Sequence, residues 1–294
     1  MHNTKKDRAI LTFLMVGALL CAAMLALGDI WNYWQSREKQ EQVQSLYTPT
    51  GFLPELFPTA LAEETENADL NLFAVPEPPE IQKDFQKLCE ANVDTAGWLT
   101  AGEDISYPIV KRDNEYYLDH DFYGKHDSNG TLFLNEATSI WPMNQVMVIH
   151  GHCMRGRAMF GELRRYKDES YVRKFPTVTF RTIYEENTSY YAPFAAFDAS
   201  ALETDPWYFN FLQTDFAREE DAQAYLNSIE AKSYWHTQLD VQPTDQILVL
   251  VTCSYIQNNG RFALFCRRLR DDEKPEDVYA IISGSPWIPE ETKK

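Results

Sequence analysis

Short apolar segments separated by turn residues repeat between Trp98 and Arg268, and this pattern leaves few folds open to the chain. Several segments alternate apolar and polar residues with a period of two, which is typical of β-strands. Residues 177–184 and 189–197 flank a turn-like sequence and are predicted to form a hairpin, as are residues 246–253 and 262–268. Many short strands at this spacing indicate a β-barrel or a β-sandwich.

Two segments have helical rather than strand periodicity. Apolar residues recur at helical spacing within residues 80–92, which predicts an amphipathic helix with Cys89 in the core. The acidic residues 219–221 favour a helix N-terminus and precede a second such repeat around Tyr225, so a helix of about three turns is predicted before the last strands. The predicted fold is mainly β with peripheral helices.

An uncharged run of 20 residues, Ala9 to Gly28, is long enough as a helix to cross a bilayer core of about 30 Å. Lys5, Lys6 and Arg8 precede it, so the positive-inside rule predicts a single-pass anchor in the cell membrane, with the N-terminus inside and everything after the anchor outside. The alternative is a cleaved signal peptide, although the apolar region of such peptides is usually about 7 to 15 residues long.

The chain of 294 residues is predicted to have one globular domain. Residues 1–8 are predicted to be a cytoplasmic tail, residues 9–28 the anchor, residues 29–79 a juxtamembrane segment and spacer, and residues 80–294 the folded domain, in which the candidate catalytic residues described below all lie. The spacer is assigned from its prolines and acidic residues, a composition typical of linkers.

The net charge of −17, from 27 basic and 44 acidic residues, argues against a nucleic-acid partner, because phosphate binding requires a concentrated basic face. The five cysteines form no CxxC pair, so neither a zinc site nor a disulfide scaffold is indicated. We expect no metal and no cofactor. At least one cysteine is therefore available for chemistry.

Cys253 stands where an apolar strand runs into a loop, a position that exposes a side chain at the rim of a sheet. A thiol attacks acyl groups as the thiolate and needs a histidine or a cation nearby. His150 and His152 end another apolar strand, and Arg261 opens the strand that pairs with the one bearing Cys253. A lone cysteine in such a strand is more often a small buried apolar residue, so the conjunction of these residues carries the hypothesis.

These residues also resemble a known family. Residues 144–152, followed by residues 159–163, are similar to the histidine block of class B sortases. Residues 252–255 and Arg261 match the cysteine and arginine blocks of the same family. Further agreement in order and spacing runs through residues 97–98, 105–110, 113–118 and 130–134. The resemblance extends from about Ile81 to Pro286.

The resemblance implies a sortase-type eight-stranded β-barrel, with an N-terminal helix and a helix in the loop before the cysteine strand. It implies that Cys253 forms a thioacyl enzyme, that His152 acts as acid and base, and that Arg261 stabilises the oxyanion. The residues implied to line the substrate groove are Asn114, Leu118, Thr252 and Ser254.

The resemblance also implies the partners. The substrate is a sorting pentapeptide near the C-terminus of a surface protein, cut after Thr and joined to an amine of a peptidoglycan precursor or of a pilin. Two positions depart from the family pattern: His150 stands where many relatives have Tyr, and Cys153 replaces a frequent Asn. His150 remains an alternative acid/base, and Cys153 is either a small buried residue, a second thiol or half of a regulatory disulfide.

Two other functions are open. A papain-like cysteine peptidase acting on wall or surface peptides would place its cysteine before its histidine, whereas His152 precedes Cys253 here. A catalytically silent, membrane-tethered binding module would keep the fold without a reactive thiol. The aromatic residues 207–209 are interpreted as core more readily than as a peptide groove, and the loop with His120 and His126 as solvated rather than metal-binding.

Overall fold

The computed structural model of the protein describes residues 3–47, 77–154, 157–254 and 259–284. Within these residues the helices are α1 Asn3–Gln44, α2 Lys83–Ala91, α3 Glu169–Lys174, α4 Glu219–Lys232 and α5 Pro275–Gly284. The strands are β1 Thr95–Ala101, β2 Ile105–Val110, β3 Phe133–Leu134, β4 Val146–Gly151, β5 Val178–Thr182, β6 Ser189–Ser200, β7 Ile247–Cys253 and β8 Gly260–Arg268. The predicted spacer residues 48–76 and residues 255–258 of the β7–β8 turn lie outside the described residues.

The eight strands form a closed barrel in the order β1-β2-β3-β4-β7-β8-β6-β5. This confirms the predicted eight-stranded barrel, with α2 before the first strand and α4 in the loop before the cysteine strand. The two predicted hairpins, β5–β6 and β7–β8, are both antiparallel pairs. The neighbours β4 and β7 are parallel, so the connection between them carries β5, β6 and α4 across the barrel.

The barrel wall is covered on both sides. The first six residues of β7 are all buried, although the sequence pattern placed them alternately on two faces. Alternation still directs the side chains to opposite sides, but each side packs against other apolar groups. In the core, the rings of Phe197 and Phe265 stack with centroids 5.0 Å apart.

Two details differ from the sequence prediction. The apolar segment within residues 130–134 forms only the two-residue strand β3, which pairs with β2 through a single residue and with β4 through two. Helices α3 and α5 were not predicted; α3 has only six residues, too few to display a helical period. Val278 and Ile282 of α5 are buried in the core, so tertiary packing stabilises this helix.

The prediction of a single-pass membrane anchor at residues 9–28 is wrong. Among the helices of the described residues, none is both long enough and apolar enough to cross a bilayer. The expectations that depended on the anchor, a location in the cell membrane with the N-terminus inside and the catalytic domain outside, are corrected with it.

The second half of α1 packs onto the barrel. Val43 is 5% exposed in a cluster with residues of α2 and β1, and the Gln40 Nε2 donates a hydrogen bond to the Ser106 carbonyl oxygen at 3.0 Å. Just after the helix, the Tyr47 ring stacks on Trp98 with centroids 4.7 Å apart. Residues before position 80 therefore contact the barrel, and the boundary of the catalytic domain at residue 80 stays a prediction.

A buried ion pair joins α2 to the barrel and gives a stability prediction. The Arg181 Nη1 lies 2.6 Å from an Asp84 carboxylate oxygen, and the two side chains are only 6% and 5% exposed. Arg181→Met leaves the carboxylate without its cation, so we expect the free energy of unfolding to fall by about 3–5 kcal/mol in urea titrations. The control is Arg218→Met, whose exposed partner is Asp221; equal losses in both variants would contradict the prediction.

Candidate active site

Three strands bring the predicted catalytic residues to the same rim of the barrel. In the parallel pair of β4 and β7, Gly151 lies opposite Thr252, so His152 follows β4 where Cys253 ends β7. In the antiparallel pair of β7 and β8, Cys253 lies directly opposite Arg261. Residues opposite each other on neighbouring strands have Cβ atoms only about 5 Å apart. The Cβ atoms of Cys253 and Arg261 are therefore adjacent by register.

A cavity of about 310 Å³ opens at this rim. It is lined by the three predicted catalytic residues and by three of the four predicted groove residues, namely Cys253, His152, Arg261, Asn114, Leu118 and Thr252. The fourth, Ser254, does not line it: the residue is 4% exposed and its Oγ is buried with no hydrogen-bond partner in the described residues. Thr252 is also largely buried, and its Oγ1 donates to the Gly151 carbonyl oxygen at 2.8 Å, which ties β7 to β4.

The contact of His152 defines the proton positions on its ring. The His152 Nε2 lies 2.6 Å from the Leu118 carbonyl oxygen. A carbonyl oxygen can only accept, so in the neutral ring Nε2 carries the hydrogen and donates it. The lone pair is then on Nδ1, which is the nitrogen able to accept a proton. A main-chain carbonyl, rather than a carboxylate, orients this histidine.

The loop that carries Leu118 is itself fixed by several hydrogen bonds. The Thr131 backbone N–H donates to the Tyr117 carbonyl oxygen at 2.9 Å, and the Thr131 Oγ1 donates to the His120 carbonyl oxygen at 2.9 Å. Lys39 of α1 forms ion pairs with two acidic residues of the same loop, Asp121 and Asp127. The carbonyl that orients His152 thus belongs to a restrained loop.

Gly130 tests whether that loop positions the histidine. Its φ is +61°, and a Cβ at this position would lie 2.4 Å from the Tyr117 carbonyl oxygen and 2.8 Å from that of Leu118. Gly130→Ala must therefore displace the carbonyl that accepts from His152, and we expect turnover to fall about 10-fold, since even displacements near 1 Å impair catalysis.

The control for this prediction is Gly124→Ala in the same loop. Gly124 also has a positive φ, +72°, but the only atom near its added Cβ is the Tyr116 Oη at 3.2 Å. Both variants carry the same backbone strain, and only Gly130→Ala moves the Leu118 carbonyl. Equal kcat values for the two variants, measured on the same peptide, would refute the positioning role.

His150, the alternative acid/base, lies deeper on the same strand. Its ring is tilted against Phe133 with centroids 5.4 Å apart, and its Nε2 lies 3.2 Å from the Asn135 Nδ2. Burial, assisted by the positive charge of Arg261, lowers the pKa of His150 to about 4. The ring is therefore neutral at neutral pH and poorly suited to donate a proton in exchange with Cys253.

Cys153 is buried, 7% exposed, next to the active site. The Arg164 Nη1 donates to its Sγ at 3.9 Å. Burial raises the pKa of the Cys153 thiol, and the nearby Arg164 only partly opposes this effect. None of the five cysteines, all of which lie in the described residues, forms a disulfide in the structure, so Cys153 is a second thiol here.

An aromatic wall was underestimated from the sequence. Tyr208 and Phe209 line the cavity together with Phe211 and Leu212. Phe209 belongs to both the cavity wall and the core, the two roles weighed for it from the sequence. Its ring packs against Phe197 in the core with centroids 5.0 Å apart. The cluster of aromatic residues was the available signal, but only the fold turns it toward the cavity. Asn135 was not singled out at all.

No group of three or more histidine, cysteine or acidic side chains within the described residues is arranged to hold a metal ion. In the loop with His120 and His126, the His120 Nδ1 contacts the Tyr116 carbonyl oxygen at 2.8 Å and the Asp119 carboxylate at 2.7 Å. This imidazole is thus used within the loop.

Comparisons with known proteins agree with this description. No protein-family model matches the chain. The chain is 29% identical over 178 residues to sortase B of Listeria monocytogenes, which is 59% of this chain and 68% of that protein. It is 26% identical to the solved sortase B of Clostridium perfringens, with a TM-score of 0.58 over 63% of this chain and 99% of the other. It shares the fold of a Staphylococcus aureus sortase B–substrate complex at 24% identity, with a TM-score of 0.59 over 65% and 87% of the two chains.

The barrel and the relatives together support a sortase-type transpeptidase. Both curated relatives are sortases B, and the similarity confirms the resemblance to class B sortases that the motifs predicted.

Proposed function

We propose that the chain cleaves a sorting motif near the C-terminus of surface proteins, after its Thr, and joins the new C-terminus to an amine. The amine belongs to a peptidoglycan precursor or to a pilin. The observation that carries this proposal is the register of Cys253 opposite Arg261, with His152 lining the same cavity. The Staphylococcus aureus sortase B with the same fold was solved with a substrate, which supports a peptide as the occupant of the cavity.

In the first half-reaction the Cys253 thiolate attacks the carbonyl carbon of the Thr residue, and a C–S bond forms. The carbonyl electron pair moves onto oxygen, where the Arg261 guanidinium offers planar N–H donors to the negative charge. The C–N bond then breaks, and His152 gives its Nδ1 proton to the leaving amine. The Nε2–H stays bonded to the Leu118 carbonyl oxygen throughout.

In the second half-reaction an incoming amine attacks the thioacyl carbon. His152 takes a proton from this amine at Nδ1, and the oxyanion again forms beside Arg261. The C–S bond breaks, the new amide bond remains with the product, and the Cys253 thiolate is restored. The mechanism needs no carboxylate beside Cys253 and His152, because the Leu118 carbonyl orients the imidazole.

We propose that the substrate peptide lies along the cavity between Leu118 and the aromatic wall. Leu118 is 43% exposed and Leu212 is 52% exposed, so both offer apolar surface to a ligand. The Asn114 Oδ1 accepts from the Glu136 backbone N–H at 2.9 Å, which orients its amide group at the polar end. Thr252 contributes mainly by holding the strands that form the cavity floor.

The test incubates the full chain with a pentapeptide library and separate amine acceptors, a triglycine and a lysine-containing peptide, and identifies products by mass. Ligated products that contain an N-terminal library fragment ending in Thr would support the proposal. Hydrolysed fragments without ligation would favour a cysteine peptidase. An inert Cys253 that fails to react with a thiol-directed probe would favour a binding module.

A further inference from the structure

Two acidic side chains of the loop between β2 and β3 meet a lysine of α1. The Lys39 Nζ lies 3.3 Å from an Asp121 carboxylate oxygen and also pairs with the Asp127 carboxylate. Burial alone lowers the pKa of Lys39, but the two carboxylates outweigh this effect and the pKa is raised. The ammonium group is therefore charged at neutral pH and lies between two negative groups.

This arrangement differs from an ordinary surface ion pair. The side chains of Asp121 and Asp127 are only 10% and 14% exposed. A fully solvated pair contributes little, whereas removal of the cation here leaves two nearly buried carboxylates close to each other. In the part of the chain that the structure describes, Lys39 is the only lysine or arginine that pairs with either carboxylate. Loss of this cation should therefore loosen the loop.

The backbone of the loop connects these carboxylates to Leu118. The Asp121 Oδ1 accepts from the Lys125 backbone N–H at 2.9 Å, which closes the turn that follows. The Asp127 backbone N–H donates to the carbonyl oxygen of Asp119, the residue after Leu118, at 2.8 Å. The position of Leu118 thus depends on where α1 holds the two carboxylates.

Lys39 is itself held in place by the barrel. The side chain of Gln40, the next residue, donates to the Ser106 carbonyl oxygen of β2. Val43, about one turn further along α1, is buried. Lys39 lies outside the cavity that holds the candidate catalytic residues, so its influence on turnover has to pass through the loop.

We infer that Lys39 is a positioning residue for His152. It holds the two carboxylates, the carboxylates hold the loop, and the Leu118 carbonyl oxygen of this loop orients the imidazole. This inference rests on the proposed transpeptidase function and deepens it, because it makes the end of α1 part of the catalytic unit. It also assigns a role to a residue of the predicted spacer.

The test compares kcat of the full chain with that of its Lys39→Met and Lys39→Arg variants, on one ligated peptide and one amine. Lys39→Met removes the cation, and we expect kcat to fall about 5-fold, because displacements near 1 Å already impair catalysis. Lys39→Arg keeps a cation and should retain most of the activity. The control is Lys87→Met, on an exposed lysine of α2, which should leave kcat unchanged. A wild-type kcat in Lys39→Met, or equal losses in the two Lys39 variants, would overturn the inference.

A double variant tests the route to His152. Gly130→Ala and Lys39→Met are both expected to displace the Leu118 carbonyl, so their fold losses in kcat should not multiply when they are combined. Losses that multiply would show that Lys39 acts by another route, and the positioning role would be refuted.

Amide hydrogen exchange gives a readout that needs no turnover. The backbone N–H groups of Asp127 and Thr131 are both bonded within the loop. We expect them to exchange about 5-fold faster or more in Lys39→Met, with no change for the amides of β7. Equal exchange in the variant and the wild-type chain would overturn the inference whatever the turnover. Absence of ligation by the wild-type chain would refute the proposed function, and the exchange rates would still decide whether Lys39 restrains the loop.

Discussion

Cys253→Ala is expected to abolish ligation completely while the barrel remains folded. No other group in the proposed mechanism can form the thioacyl bond. Because the covalent intermediate cannot form at all, we expect no residual ligation. Cys253 is half-buried at the end of β7, where a smaller side chain leaves the backbone pairing with Arg261 unchanged. Product formation is measured by mass, and the fold by circular dichroism and the urea midpoint.

Cys89→Ala is the matched control for this prediction. Its thiol is half-buried on α2 and packs in the cluster that includes Phe85 and Leu88, away from the cavity. We expect this variant to lose some stability and to keep its kcat. Ligation that persists in Cys253→Ala would remove the thiol from the mechanism. Loss of ligation in both variants would indicate damage to the fold rather than to the chemistry.

Arg261→Lys is expected to lower kcat on the order of 10²-fold with little change in the unfolding midpoint. The developing oxyanion needs donors in a planar, fixed arrangement, and an ammonium group on a flexible stem does not reproduce them. Arg261 is half-buried at the start of β8, and its Nη1 donates to the Gly260 carbonyl oxygen at 3.0 Å, which holds the guanidinium near the rim. Because the loss concerns the transition state, KM should change much less than kcat.

Arg218→Lys is the corresponding control. Arg218 is an exposed arginine at the N-terminal end of α4 and pairs with Asp221, so the same substitution there should leave kcat unchanged. A kcat for Arg261→Lys equal to that of the wild-type chain would contradict the oxyanion role. A large rise in KM with constant kcat would instead assign Arg261 to substrate binding.

The hairpins could be predicted from the sequence because local pattern and global fold agree there, whereas the choice of a barrel over a sandwich came from the family resemblance. Residues 246–253 and 262–268 alternate and flank a turn, and the structure pairs them as β7 and β8. The parallel pairing of β4 with β7 is different. It joins segments about 100 residues apart, with most of the barrel between them, so no local signal specifies it. The family resemblance, rather than periodicity, predicted that His152 and Cys253 meet.

The residues predicted to line the substrate groove were likewise only partly determined by the sequence. Asn114, Leu118 and Thr252 line the cavity as the resemblance implied, whereas Ser254 is buried away from it. Alternation alone does not explain the difference, since it places residues 252 and 254 on the same side. The strand β7 ends at Cys253, so the direction of the Ser254 side chain is set by the loop that follows. The aromatic residues around Tyr208 were visible as a cluster, but a loop without regular structure carries no period that says which way its side chains point.

By itself, the sequence determined that the chain forms a β-barrel with peripheral helices and that Cys253, His152 and Arg261 are its candidates for chemistry. Tertiary structure alone decided which ring nitrogen of His152 carries the hydrogen, since this depends on the contact with the Leu118 carbonyl oxygen. The physical reason is that a hydrogen bond is specified within a few tenths of an ångström, whereas sequence patterns specify only which face of an element a residue occupies.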